Sequence, residues 1–148
     1  MTQAPHILVV EAPYYAHIAA LLRRGAQQAL AAAGASHEIV QVPGSFEIPA
    51  AIGLVARTND RFDGYVALGC VIRGETTHYD HICAESARGL QDLAVRDGLA
   101  IGYGILTCEN EAQALARAAP EGHDHAGAAV RACLAIIELK RRFAPGAE

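Results

Sequence analysis

The sequence predicts one α/β domain, residues 1–148, built on a parallel sheet with helices on both faces. Three observations carry that prediction. Four short runs rich in apolar and β-branched or aromatic residues recur along the chain, each flanked by Gly, Pro or polar residues. The gaps between them place apolar residues at helical spacing. The runs read as apolar throughout rather than alternating, which is the pattern of strands buried on both sides. No linker, repeat or low-complexity segment interrupts the order β-α-β-α-β-α-β-α-α.

The run HILVVE at 6–11 predicts the first strand. After it, Ile18, Leu21, Leu22, Gly25 and Ala29 line one face of a helix expected to end near Gly34, a residue suited to the left-handed turn past a helix end. HEIVQV at 37–42 predicts the second strand, and EIPAAIGLVART a second helix with Pro49 tolerable in its first turn. GYVALGCV at 64–71 predicts the third strand, followed by a helix from near Thr76 to Arg96. Thr77 and Asp80 have the spacing of a capping box at its start. AIGYGILT at 100–107 predicts the fourth strand, and Asn110 with Gln113 a related cap before ALARA. On the last helix Val130, Cys133, Leu134 and Ile137 turn inward. Lys140, Arg141 and Arg142 sit near its C-terminus, where the dipole favours cations.

Hydrophobic residues make up 52% of the chain and charged residues 19%, which suffices for a core and argues against disorder. The net charge of −4 offers no basic face to nucleic acid, so an anionic ligand must be held by local donors. The start MTQAPHILVVEAPYY has no cationic segment, and no run is long enough to cross a bilayer; the cytoplasm is the expected location, without membrane contact. Cys70, Cys83, Cys108 and Cys133 are scattered through mostly apolar patterns and read as thiols rather than disulfides.

Ligands of such sheets bind outside the carboxyl ends of the strands. That rule selects the loops at 11–16, 43–47, 70–78 and 107–111, and these hold polar and aromatic residues that a core does not need. In CVIRGETTHYD, the amides around Gly74, Glu75 and Thr76 stand at a helix start suited to an anion, and His78 can carry a proton near neutral pH. Taken alone, the same stretch is equally a capped helix with a solvent-facing histidine. Tyr14, after Pro13, can stack on a planar ring or staple a helix entry. Ser45, Phe46 and Glu47 suit a polyhydroxyl chain or cap a helix. Arg117 can grip an oxyanion or remain a solvated surface charge. His78 and His81, or His123 and His125, have spacings that a metal could use, but no carboxylate or cysteine completes a recognised ligand pattern.

The motifs VPGSFEIP, LGCVIRGETTHYDHI and GILTCENEAQALARA, in that order and spacing, closely resemble the 6,7-dimethyl-8-ribityllumazine synthase family of riboflavin biosynthesis. The resemblance covers nearly the whole chain. It implies a flavodoxin-like three-layer α/β/α sandwich with a four-stranded parallel sheet. It implies the condensation of 5-amino-6-(D-ribitylamino)uracil with 3,4-dihydroxy-2-butanone 4-phosphate, with no metal or organic cofactor. It also implies a homo-oligomer, with sites between neighbouring subunits of a pentamer and, in some members, twelve pentamers in a hollow shell. A lumazine- or flavin-binding module without catalysis is the alternative on the same fold.

Carried over position by position, the resemblance gives Tyr14 the role of stacking on the pyrimidine. Ser45, Phe46 and Glu47 would contact the ribityl chain and ring edge, and the backbone of Val71 and Ile72 would hydrogen-bond the pyrimidine. Glu75 and Thr76 belong to the phosphate-binding turn, and His78 is the proton-transfer group. Tyr103 and Arg117 would come from the adjacent subunit, Arg117 pairing with the phosphate.

Two positions depart from the family pattern. Pro13 stands where a polar residue, usually arginine, is expected, and Ala126 where a lysine usually precedes the glycine. The loop APEGHDHAG is slightly longer than the tight loop of shell-forming members, which favours a free pentamer over the shell.

Overall fold

The computed structural model describes residues 3–146. Its four strands are β1 (His6–Glu11), β2 (Ser36–Gln41), β3 (Gly64–Ile72) and β4 (Ile101–Cys108), all parallel, in the spatial order β2-β1-β3-β4. The helices are α1 (Ala16–Ala32), α2 (Ile48–Thr58), α3 (His78–Asp97), α4 (Glu111–Ala118) and α5 (His125–Arg142), with a single 3-10 turn at Ser45–Glu47 before α2. This is the three-layer α/β/α, flavodoxin-like arrangement that the sequence predicts.

Strand side chains alternate between two apolar layers. Ile7 and Val9 of β1, Val66 and Leu68 of β3, and Leu106 of β4 pack on Ile18, Leu22 and Leu30 of α1 and Val130 and Cys133 of α5. Leu8 and Val10, Tyr65 and Ala67, and Ile105 face the other way, onto Ile48 and Ile52 of α2 and Leu90 of α3. Each aliphatic side chain fully buried in this way contributes roughly 1.5–3 kcal/mol. α1 ends at Ala32, and Gly34 takes a φ of 69° just beyond it, as expected of a glycine there.

Two expectations are corrected. β2 is not buried on both faces: Ser36, Glu38, Val40 and Gln41 are exposed, because β2 pairs with β1 alone and stands at the sheet edge. Thr77 does occupy the cap position of α3, but its side chain makes no capping bond. Its backbone (φ −73°, ψ 0°) is not the extended conformation that aims a capping hydroxyl, and Asp80 turns to Arg73 instead. The cap of α4 forms as expected, with Asn110 Oδ1 accepting from the Gln113 amide at 2.9 Å and Gln113 Oε1 accepting from the Glu109 amide at 2.8 Å.

The strand order creates the crevice. The chain leaves β1 toward β2 on one side and leaves β3 toward β4 on the other, so the carboxyl ends of β1 and β3 part around an opening. β3 also runs on past its pairing with β1, which ends at Glu11 opposite Leu68. The β1-facing edge of Gly69–Ile72 therefore has no strand beside it.

Candidate active site

A cavity of about 600 Å³ opens at that crevice. Four segments build it. The loop after β1 supplies Tyr14 and Tyr15, the loop after β2 supplies Pro43 to Glu47, the end of β3 supplies Cys70 to Ile72, and the start of α3 supplies His78 and Ile82. Of the residues that the resemblance singles out, Tyr14, Ser45, Phe46, Glu47, Val71, Ile72 and His78 thus share one space.

Each is held differently. Tyr14 is 75% exposed, and its ring meets that of Tyr15 edge-on, centroids 5.0 Å apart at 75°. Phe46 is likewise exposed, so two aromatic faces stand free beside the opening. Ser45 is buried beneath them against β3. The tight turn is closed by the Glu47 amide donating to the Gly44 carbonyl at 3.1 Å.

At the end of β3, the Leu68 carbonyl faces β1, where it accepts from the Ala12 amide at 2.9 Å. Alternation turns the backbone groups of Cys70 and Ile72 to the same side, which β1 has vacated. Those groups are available to a flat hydrogen-bonding ligand. Val71 packs its side chain onto the layer beneath α2 and α3, and the Arg73 amide donates to the Cys108 carbonyl of β4 at 2.9 Å.

His78 is the first residue of α3, exposed, with its amide donating to Thr76 Oγ at 3.3 Å. Gly74, Glu75, Thr76 and Thr77 form an exposed turn at the amino end of that helix, where free amides and the dipole favour an anion. Two titratable groups that line the cavity are raised by their surroundings. Burial, and then the neighbouring Cys108, push the Cys70 thiol up to about 12. Tyr15 is raised above its ordinary value, chiefly by burial.

Tyr103 and Arg117 are not brought into this space. Tyr103 stands on β4, at the opposite sheet edge from β2, with 46% of its surface exposed. Arg117 lies on α4, where its Nη1 donates to the Gln113 carbonyl at 3.1 Å. Its charge lies close enough to His125 to help lower that imidazole, after the larger effect of burial. The His123 and His125 rings stack with centroids 6.0 Å apart. Ala126, at the position of the usual lysine, is wholly buried beneath α1 and presents nothing to a ligand. Among the described residues, no group of three or more His, Cys, Asp or Glu side chains stands together as a metal site would require.

Pro43, Cys70 and Ile82 line the cavity without having been singled out from the sequence. Ile82 had a usable signal: it stands four residues after His78 on a helix and so shares its face. Cys70 had none, because an apolar strand residue looks the same whether or not its neighbour strand continues.

The family model described as 6,7-dimethyl-8-ribityllumazine synthase matches residues 4–141. A 6,7-dimethyl-8-ribityllumazine synthase of Sphingopyxis alaskensis is 55% identical over 141 residues, covering 95% of this chain and 99% of its own. The 6,7-dimethyl-8-ribityllumazine synthase 1 of Rhizobium meliloti is 54% identical over 147 residues, covering 97% and 95%. That of Bartonella tribocorum is 50% identical over 143 residues, again covering 97% and 95%. The match runs through every segment that builds the cavity, and the chain belongs to the 6,7-dimethyl-8-ribityllumazine synthase family.

Proposed function

We propose that this chain condenses 5-amino-6-(D-ribitylamino)uracil with 3,4-dihydroxy-2-butanone 4-phosphate, giving 6,7-dimethyl-8-ribityllumazine, inorganic phosphate and water, in the riboflavin pathway of the cytoplasm. The observation that carries the reading is the convergence of Tyr14, the Ser45–Glu47 turn, the free edge of β3 and His78 on one cavity. Its volume, about 600 Å³, lies within the range that holds small substrates almost completely buried.

The chemistry asks for positioning and proton movement. The aromatic amine adds to the ketone and loses water to give an imine. Phosphate then leaves, and the ribitylamino nitrogen closes the ring with further loss of water. Holding the two molecules together supplies much of the rate enhancement. Tyr14 stacks on the pyrimidine, and the backbone of Ile72, on the free edge of β3, reads its edge; the backbone of Val71, given the same role by the resemblance, is turned to β4 instead. Ser45, Phe46 and Glu47 take the ribityl chain. His78, at the mouth of the cavity, passes protons in both directions, since an imidazole can serve as acid and as base. Glu75 and Thr76 offer turn amides to the phosphate.

The working unit is a homo-oligomer, with a pentamer favoured over a shell of twelve. Tyr103 and Arg117 have exposed surface but lie outside the cavity of their own protomer, so a neighbour's copies complete the site. Light scattering tests the assembly, and a particle of shell size would refute the free pentamer. Mixing both substrates with the purified protein tests the reaction: lumazine absorbance and fluorescence should grow with enzyme concentration. Folded protein that gives no rate above the uncatalysed condensation would overturn the assignment.

A further inference from the structure

The sequence places Arg73 inside its most informative motif, yet the roles described so far leave it idle. Its side chain is the hub of a small cluster. Arg73 Nε donates to Glu109 Oε2 at 2.7 Å, and Nη1 donates to Asp80 Oδ1 at 3.3 Å. The guanidinium carbon lies 4.4 Å from the centre of the Tyr79 ring. Arg73 thus joins the β3–α3 turn to the first turn of α3 and to the loop after β4.

Stability does not account for this arrangement. The three charged side chains are 41%, 57% and 56% exposed, and ion pairs so open to water stabilise a fold very little. What they do change is the local field. The turn at 74–77 is the proposed phosphate contact, and it already carries Glu75. Asp80 follows it in the first turn of α3 and Glu109 is paired to Arg73, the residue just before it, and two uncompensated carboxylates there would oppose an arriving dianion. Arg73 remains charged at any working pH, since a guanidinium is not deprotonated in proteins and Glu109, then Asp80, raise it further.

We propose that Arg73 is a positioning residue whose task is to neutralise Asp80 and Glu109, so that the turn beside them accepts a phosphoryl group. The inference rests on the phosphate reading of that turn. Its test therefore has two readouts: inorganic phosphate binding by calorimetry on the unliganded protein, and steady-state kinetics with both substrates. Arg73→Gln should weaken phosphate binding and raise the KM for the phosphate substrate, each by about tenfold. The KM for the pyrimidine and kcat should stay within about threefold. Removing the carboxylates as well, in R73Q/D80N/E109Q, should recover most of the lost affinity. With Arg73 intact, E109Q should tighten phosphate binding by roughly two- to threefold, and this variant serves if R73Q does not fold.

Equal rises in both KM values, a triple variant no better than R73Q, or an E109Q that binds phosphate no more tightly would each overturn the proposal. A wild type without lumazine formation whose phosphate binding still falls in R73Q would sink the proposed reaction and leave Arg73's role standing. A fully active wild type with unchanged phosphate binding in R73Q would do the reverse.

Discussion

The hydroxyl of Ser45 occupies the space beside Gly69: a Cβ added at residue 69 would lie 2.5 Å from Ser45 Oγ. The turn that shapes one wall of the cavity is therefore seated directly on the backbone of β3, and a Cβ at residue 69 would require the buried Ser45 hydroxyl to move. Gly69→Ala should displace the Ser45 hydroxyl and disturb its seat against β3. The expected cost is roughly 1–3 kcal/mol of stability, together with a raised KM for the pyrimidine substrate. Thermal denaturation and kinetics check this; unchanged values of both would mean that the turn yields freely.

His78 stands at the opening rather than deep within it. The substrates are intrinsically reactive, so positioning should survive removal of the imidazole. His78→Ala is expected to lower kcat by about 100-fold while leaving substrate binding nearly intact. Activity below detection in a folded variant that still binds substrate would contradict the role given to this residue.

Arg117 offers the sharpest test of a shared site. Arg117→Ala should raise the KM for the phosphate substrate by about tenfold or more and leave that for the pyrimidine nearly unchanged. If the guanidinium belongs to a neighbour's site, oligomers assembled from a mixture of Arg117→Ala and His78→Ala chains regain activity. About a quarter of the sites in an equal, random mixture would combine an intact His78 with an intact Arg117. A mixture no more active than the mean of its two components would place both groups in the same subunit's site.

Cys70 lines the cavity, but with its thiol pushed up to about 12 by burial it is almost entirely protonated at neutral pH. Cys133, buried in the core, is raised to about 12 for the same first reason. A thiol-specific reagent should therefore modify native protein first at half-buried Cys83, with Cys70 and Cys133 reacting only on unfolding. Cys70→Ala should retain kcat within about threefold, since a thiol in this state is not a nucleophile. Rapid native labelling of Cys70 with loss of turnover would require a different chemistry.

Much of the fold was legible because it is written locally. Helical spacing in ALLRRGAQQAL and the apolar run HILVVE each need only a few neighbours to be read, and the observed β1 and the Asn110–Gln113 cap follow the prediction residue for residue. The failures were also local in origin. The run HEIVQV looks buried, yet whether a strand is covered depends on its place in the sheet. The Thr77–Asp80 spacing looks like a capping box, yet Asp80 is drawn to Arg73, which no short-range rule anticipates.

By itself the sequence determined the alternation of strands and helices, the two apolar layers, and the loops in which ligand chemistry had to lie, because hydrophobic periodicity and turn residues act over a few positions. Through its motifs it also disclosed the family. Tertiary structure alone decided that three of those loops and the start of α3 enclose one cavity, that β3 outruns β1 to leave a free backbone edge, and that Arg117 is not among the residues lining that cavity. Strand order and register are set by pairing between distant segments, and that pairing is what turns a row of suggestive residues into a site.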